Sequence, residues 1–508
     1  MSVVADTAES RNALTRTPAT IAPLILLIIA LTVLRFATAA YLPISFDEAY
    51  FWLWSRRLAI SYFEHPPIIA LAIRAGTMLF GDTSFGVRFV PLLTSVVASW
   101  AVWRSAALLC DRLIAWTACA FFNATLMVAS QGMGATPDIF VIAACALMLL
   151  SIIELERTHD GRWWLSVGLS LGLALLAKYT ASFLGLSLCS WLIASPQGRS
   201  WLRSPWLYVA AGLALLFAVP NLVWNETHGW ISFRYQFGRI VVGQPTARYL
   251  LEFMGAQIAL CSPCILALAG IGFVRYSRTA LKGNRFAILV ALIWPALVYF
   301  SLHSLHDRVQ GNWPSFVYPA IAILAGTTAY QRNGANRIID WLHSLAIPVA
   351  SLILAFCYLQ TWTGFLPLGK SDPIARMMAV GFAPVAREIA ARAGADHAAA
   401  LVTTRYVNTG WLALYVRPHL PVLQAAEEYR WTDAPAASLR MLTKPLLYVT
   451  ENPQRELRFI APLFAKITFE KCFPRTWHGV DIDSFCTYRL EGFRGPRGSR
   501  IPVAYSPD

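Results

Sequence analysis

The run IAPLILLIIALTVLRFATAAYL, Ile21 to Leu42, leads almost directly into FDEAYFWLWSRRLAISYFEHPP, Phe46 to Pro67. The first stretch has the length of an apolar helix that crosses a bilayer, roughly 20 residues. The second carries Asp47-Glu48 and then Glu64-His65-Pro66-Pro67, before the next long apolar run begins near residue 86. Phe46, Tyr50, Phe51, Trp52 and Trp54 surround the first acidic pair. A plain solvated linker needs neither the aromatic belt nor the acids. The juxtaposition therefore predicts a membrane span that ends in a chemically equipped loop.

Working outward, the apolar pattern repeats. Runs near 20–42, 86–108, 113–131, 138–154, 163–178, 180–195, 206–224, 251–273, 287–303, 314–330 and 343–365 each have transmembrane character. The fold class expected is a polytopic α-helical membrane protein with about 11 transmembrane helices. Of the 508 residues, 57% are hydrophobic and 14% charged, against about a quarter charged in soluble proteins. The first run is too long for a signal-peptide core, and Tyr41-Leu42-Pro43 follows it instead of a small-residue cleavage site. The reading is a polar, disordered cytoplasmic tail over 1–18, a membrane catalytic domain over 19–365 and an α/β domain over 366–508.

The formal net charge of +14 fits basic loops on the cytoplasmic side better than a nucleic-acid partner. With the N-terminus inside, Arg112, Arg157, Arg162, Arg199, Arg203 and the loop Arg275–Arg285 face the cytoplasm. Asp47, Glu48, Glu64, His65, Asp138, Lys178, Arg234 and Arg308 then fall in the opposite set of loops, and an odd number of spans exports the tail. In that tail, ALVTTR, PLLYVTEN and AKITFEKCF read as strands, and VNTGWLALYV as a helix. Cys472 and Cys486 lie in this polar region, and an oxidising compartment would allow them to pair. Cys261-Ser262-Pro263-Cys264 spells CxxC inside a span, where buried small hydrophobes are the simpler reading.

The chemistry reads from the outer set. Asp47 and Glu48 beside the aromatic belt are predicted to lie on an amphipathic helix in the headgroup region, partly desolvated, with raised pKa values suited to accepting a proton. Glu64-His65, stiffened by the prolines, is a candidate divalent-metal pair or a sugar contact. Asp138 in Thr136-Pro137-Asp138 reads either as a helix N-cap or as a further catalytic carboxylate. Lys178, Arg234 and Arg308 are candidate phosphate contacts.

The order Asp47-Glu48, YFEHPP, Thr136-Pro137-Asp138, LLAKYT, PNLVWNETHGW and RVQGNWP, with the tail segment TTRYVNTGWLALYVRPHLPVL, resembles the bacterial branch of the GT-C glycosyltransferases. These are relatives of protein O-mannosyltransferases and of lipid A aminoarabinose and galacturonic acid transferases. The resemblance implies a GT-C fold and a polyprenyl-phosphate sugar donor. It implies a lipid or glycan acceptor, preferentially lipid A or lipopolysaccharide core, and no nucleotide cofactor. Asp47 would be the catalytic base of an inverting transfer at the periplasmic face of the inner membrane. Glu64 matches an acidic position that can bind a metal, and His65 stands where the family frequently has lysine. Alternatives are a protein O-glycosyltransferase and, outside enzymes, a lipid-linked glycan transporter. The ionisable residues near one face and the lack of a repeat weigh against transport.

Overall fold

The computed structural model describes residues 17–238, 245–330, 336–416, 420–495 and 500–507. Its helices, in chain order, are α1 (Thr17–Tyr41), α2 (Phe46–Arg56), α3 (Ile68–Phe80), α4 (Ser84–Leu109), α5 (Arg112–Ala124), α6 (Leu126–Met133), α7 (Pro137–Thr158) and α8 (Trp163–Leu175). They continue as α9 (Ser182–Ala194), α10 (Pro205–Thr227), α11 (Ile231–Gly238), α12 (Arg248–Cys261), α13 (Pro263–Ala280), α14 (Ala287–His303), α15 (Tyr318–Tyr330), α16 (Arg337–Thr363), α17 (Phe382–Ala395) and α18 (Tyr406–Val416), with the helix Pro453–Ile460 and shorter turns left unlabelled.

All the apolar stretches singled out in the sequence are helical, but they are not all single spans. Among the described residues α1, α4, α7, α10 and α16 are each long and apolar enough to cross a bilayer, giving 5 candidate spans, or up to 7 with two bent pairs. The expected span 113–131 is α5 and α6, bent by 65°, where Thr125 leaves helical geometry and its hydroxyl caps α6 at Val128 N. The expected span 251–273 is α12 and α13, bent by 104°. Pro263 has no N–H to continue the helix, and Ser262 turns the chain at φ 72°. α8, α9, α14 and α15 are shorter apolar helices. α3 was not expected. It crosses the start of α4 so closely that a Cβ at Gly76 would lie 2.1 Å from the Gly86 carbonyl oxygen.

The chain forms two compact units, each assembled from separate stretches. The first comprises the chain up to Thr38, Val90–Val223 and Phe233–Phe356. α7 packs on α8, and α15 on α5 and α13. Large apolar side chains such as Leu215, Leu216 and Leu352 are exposed on this unit's helices, as lipid-facing positions require.

The second unit comprises Ala39–Phe89, Trp224–Ser232 and Cys357–Asp508. Its sheet has strands β1 (Leu401–Thr403), β2 (Val422–Gln424), β3 (Leu446–Thr450), β4 (Phe464–Trp477), β5 (Val480–Phe493) and β6 (Val503–Tyr505), ordered β4-β5-β3-β1-β2-β6. β3, β1 and β2 run parallel, and the remaining pairings are antiparallel. Val402, Leu423, Tyr448, Ile460, Phe464 and Leu490 form its core. Cys472 and Cys486 face each other across β4 and β5 and are disulfide-bonded. Ahead of β1 the chain is helical in two pieces. Pro373–Met377 and α17 are separate, and Gly381 between them has φ 68°.

Candidate active site

α2 is set by its first residues. Ser45 and Glu48 form a reciprocal capping box: Ser45 Oγ accepts from Glu48 N (3.2 Å), and Glu48 Oε2 accepts from Ser45 N (2.7 Å). Such a box satisfies two otherwise orphaned donors. Arg88 on α4 then grips the same carboxylate with two donors, Nε to Oε1 at 2.6 Å and Nη2 to Oε2 at 2.7 Å. Its Nη1 also donates to the carbonyls of Ala39 and Leu42, and its Nη2 to that of Pro43. Arg88 is 0% and Glu48 1% exposed. Both Glu48 oxygens are spent on holding the α1–α2 turn, so the expected catalytic role of Glu48 is corrected to a structural one.

α2 does not lie on a lipid surface as expected. Glu48 through Ser55 are buried, and α2 packs on α18 of the tail. Gly410 makes that approach possible, since a Cβ there would sit 3.0 Å from Ala49 Cβ. The packing leaves Asp47 half-buried, with Oδ1 accepting a hydrogen bond from the Tyr406 hydroxyl at 3.1 Å.

The YFEHPP segment folds back beside it. Tyr62 stacks on Trp54 with ring centroids 4.4 Å apart, and its hydroxyl donates to the Trp54 carbonyl. Glu64, next along, forms an ion pair with Arg430. Arg430 also lies 3.5 Å from Glu427 and 4.3 Å from the centre of the Tyr406 ring. Burial first, and then the charge of Glu64, push the Asp47 carboxyl up to about 7, against the opposing pull of the Tyr406 hydrogen bond and Arg430. Burial and the Asp47 charge raise the Tyr406 phenol well above its ordinary range, so it remains a donor. A partly accessible carboxyl poised near neutrality is what proton abstraction requires.

Among the described residues no group of three His, Cys, Asp or Glu is placed to hold a metal ion. Glu64, one half of the predicted metal pair with His65, has its carboxylate ion-paired to the Arg430 guanidinium instead.

Asp138 and Lys178 lie in the first unit, and sequence reasoning gave them the wrong partners. Lys178 Nζ donates to both Asp138 oxygens, at 2.9 and 2.8 Å. Asn312 Nδ2 (3.0 Å) and Ser315 Oγ (2.8 Å) donate to the same carboxylate. Asp138 and Lys178 are 2% and 7% exposed. Three donor groups make four hydrogen bonds to this carboxylate, so Asp138 is placed as a hub and not as a helix cap. That hub ties together the TPD, LLAKYT and QGNWP motifs, and Lys178 is committed to it instead of to a phosphate. Arg308 is exposed and lies 3.3 Å from Glu252, which Arg248 also contacts. Arg234 is exposed on α11.

Tyr406, Glu427, Arg430 and Arg88 were missed as site residues. Only Tyr406 carried a signal, inside the TTRYVNTGW stretch.

Residues 64–224 match the dolichyl-phosphate-mannose-protein mannosyltransferase family. The chain is 27% identical over 317 residues to the lipid A galacturonosyltransferase RgtD of Rhizobium johnstonii, covering 60% of this chain and 66% of that protein. It is 22% identical to the undecaprenyl phosphate-alpha-4-amino-4-deoxy-L-arabinose arabinosyl transferase of an Enterobacter species, covering 60% and 57%. It thus spans less than two thirds of the length of these relatives. ArnT from Cupriavidus metallidurans superimposes with TM-scores of 0.61 in the apo state and 0.60 bound to undecaprenyl phosphate, at 16% identity. The apo alignment covers 92% of this chain and 98% of that one. The chain shares the fold of ArnT, and its match to the dolichyl-phosphate-mannose-protein mannosyltransferase family lies in residues 64–224.

Proposed function

We propose that the protein is an inverting glycosyltransferase that moves one sugar from a polyprenyl-phosphate carrier to lipid A or lipopolysaccharide core. The observation that carries this reading is Asp47, half-buried, hydrogen-bonded on one oxygen and held near neutrality. The acceptor hydroxyl gives its proton to Asp47 as its oxygen bonds to the anomeric carbon. The bond from that carbon to the phosphate oxygen breaks, and its electron pair departs with the polyprenyl phosphate. Attack opposite the leaving group inverts the anomeric configuration.

Charge developing on the leaving phosphate needs cations. Arg234 and Arg308, both exposed, are the ones we assign. Support for the donor and acceptor classes comes from the undecaprenyl phosphate in the similar ArnT structure and from the name of the galacturonosyltransferase relative. The Cys472–Cys486 disulfide supports an oxidising, periplasmic location for the tail. With it goes a bacterial inner-membrane location and a cytoplasmic N-terminus. A protein acceptor is the second reading, favoured by the family matched over residues 64–224.

Mass spectrometry of lipid A and core oligosaccharide tests the proposal in a deletion strain complemented with native protein or Asp47→Asn, at matched membrane levels. A sugar-sized mass present only with native protein is expected. Identical spectra would overturn the lipid A and core acceptor and send the search to glycoproteins.

A further inference from the structure

The parallel strands of the tail end where the Asp47 cluster lies. The chain leaves β1 at Thr403 and reaches Tyr406 three residues later. It leaves β2 at Gln424 and reaches Glu427 and then Arg430. Ligand and catalytic groups collect at the carboxyl ends of parallel strands in open α/β sheets. Gln424 Oε1 accepts from the backbone N–H groups of Ala426 (2.8 Å) and Glu427 (2.7 Å), fixing the turn after β2. Glu427 Oε2 in turn accepts from Tyr406 N at 2.7 Å, fixing the start of α18. These turns set the Arg430 guanidinium over the Tyr406 ring, between Glu64 and Glu427.

We propose that Tyr406 and Arg430 are positioning residues for Asp47, so that the α/β tail completes the catalytic site; this rests on the transferase reading above. Tyr406 spends its single hydroxyl proton on Asp47 Oδ1, which leaves Oδ2 to face an acceptor. Arg430 clamps the Tyr406 ring by a cation–π contact and compensates Glu64, whose charge acts directly on Asp47. The other charged groups around Asp47 are accounted for. Glu48 on its own helix is neutralised by Arg88, and Glu427 faces Arg430.

The test is infrared titration of the full chain in lipid nanodiscs, labelled with 13C-carboxyl aspartate. The Asp47→Asn spectrum is subtracted to isolate the Asp47 band, and no substrate is required. Native Asp47 should titrate near 7. Tyr406→Phe and Arg430→Gln each remove a group that favours the anion, so each should move the midpoint upward by about one unit, equivalent to a tenfold fall in the ratio of ionised to protonated Asp47 at any given pH. Glu64→Gln combined with Arg430→Gln removes the cation and its partner together and should return the midpoint toward native. An unchanged midpoint in both single variants would overturn the inference. If Arg430→Gln fails to reach the membrane, Tyr406→Phe, which removes one oxygen, decides alone. The lipid spectra keep the two ideas apart. Asp47→Asn with undiminished sugar transfer sinks Asp47 as the base of the proposed transfer, whereas native titration in the Tyr406 and Arg430 variants sinks only the positioning role.

Discussion

At the scale of single residues, function and stability pull against each other at Asp47. Its folded-state pKa lies above the ordinary carboxylate value of 3.8, so the folded protein holds that proton more tightly than the unfolded chain. Linkage then works against the fold as the pH rises. The penalty is absent below about pH 4, grows between the two pKa values and is complete above pH 7. Asp47→Asn should therefore abolish transfer while raising Tm at pH 8, with little gain at pH 4, as differential scanning fluorimetry would read. Glu48, its neighbour in sequence, should behave in the opposite way. Glu48→Ala leaves Arg88 buried without its carboxylate, which costs roughly 3–5 kcal/mol for a buried pair. The expected result is poor membrane yield instead of a shifted pH profile. The contrast explains what was legible. Two adjacent acids beside an aromatic belt identified the place, but nothing local told them apart. The partner that decides Glu48 lies 40 positions away, and the one that orients Asp47 lies 359 away.

At the scale of elements, the contact between α2 and α18 is the interface most sensitive to volume. Gly410→Val puts side-chain atoms where a Cβ alone already meets Ala49 at 3.0 Å. Overpacking of this kind costs about 1–3 kcal/mol, and here it also separates Asp47 from Tyr406. Transfer should fall further than Tm does when the two are measured on one preparation. The β4–β5 hairpin should respond to redox. Cys472→Ser with Cys486→Ser removes a cross-link worth roughly 3 kcal/mol in the chain-entropy model, and the tail should become sensitive to limited proteolysis. Helix positions were readable because apolar runs of span length have few other fates. The break between α12 and α13 was present in the sequence as Ser262-Pro263, yet hydropathy averaged across it. β2 and β6 are three residues each, too short for an alternating pattern to declare itself.

At the scale of the whole molecule, charge and disulfide make one joint prediction. Alkaline phosphatase fused after residue 508 should be active and green fluorescent protein at the same point dark. The reverse pattern would put the tail inside and remove the periplasmic reading. The architecture itself was foreseeable from the order of the motifs, since the GT-C likeness extends over nearly the whole chain. The part played by the tail was not, because strands of a mixed sheet reveal their carboxyl ends only once paired. The hydrogen bond joining Asp47 to Tyr406 also sets a schedule for biosynthesis. A ribosome adding about 5–20 residues per second finishes the Asp47 turn long before it reaches Tyr406, 359 residues later. During that interval the nascent chain holds a carboxylate without its orienting phenol. A truncated or stalled product that ends before residue 406 would thus lack the phenol that donates to Asp47 Oδ1.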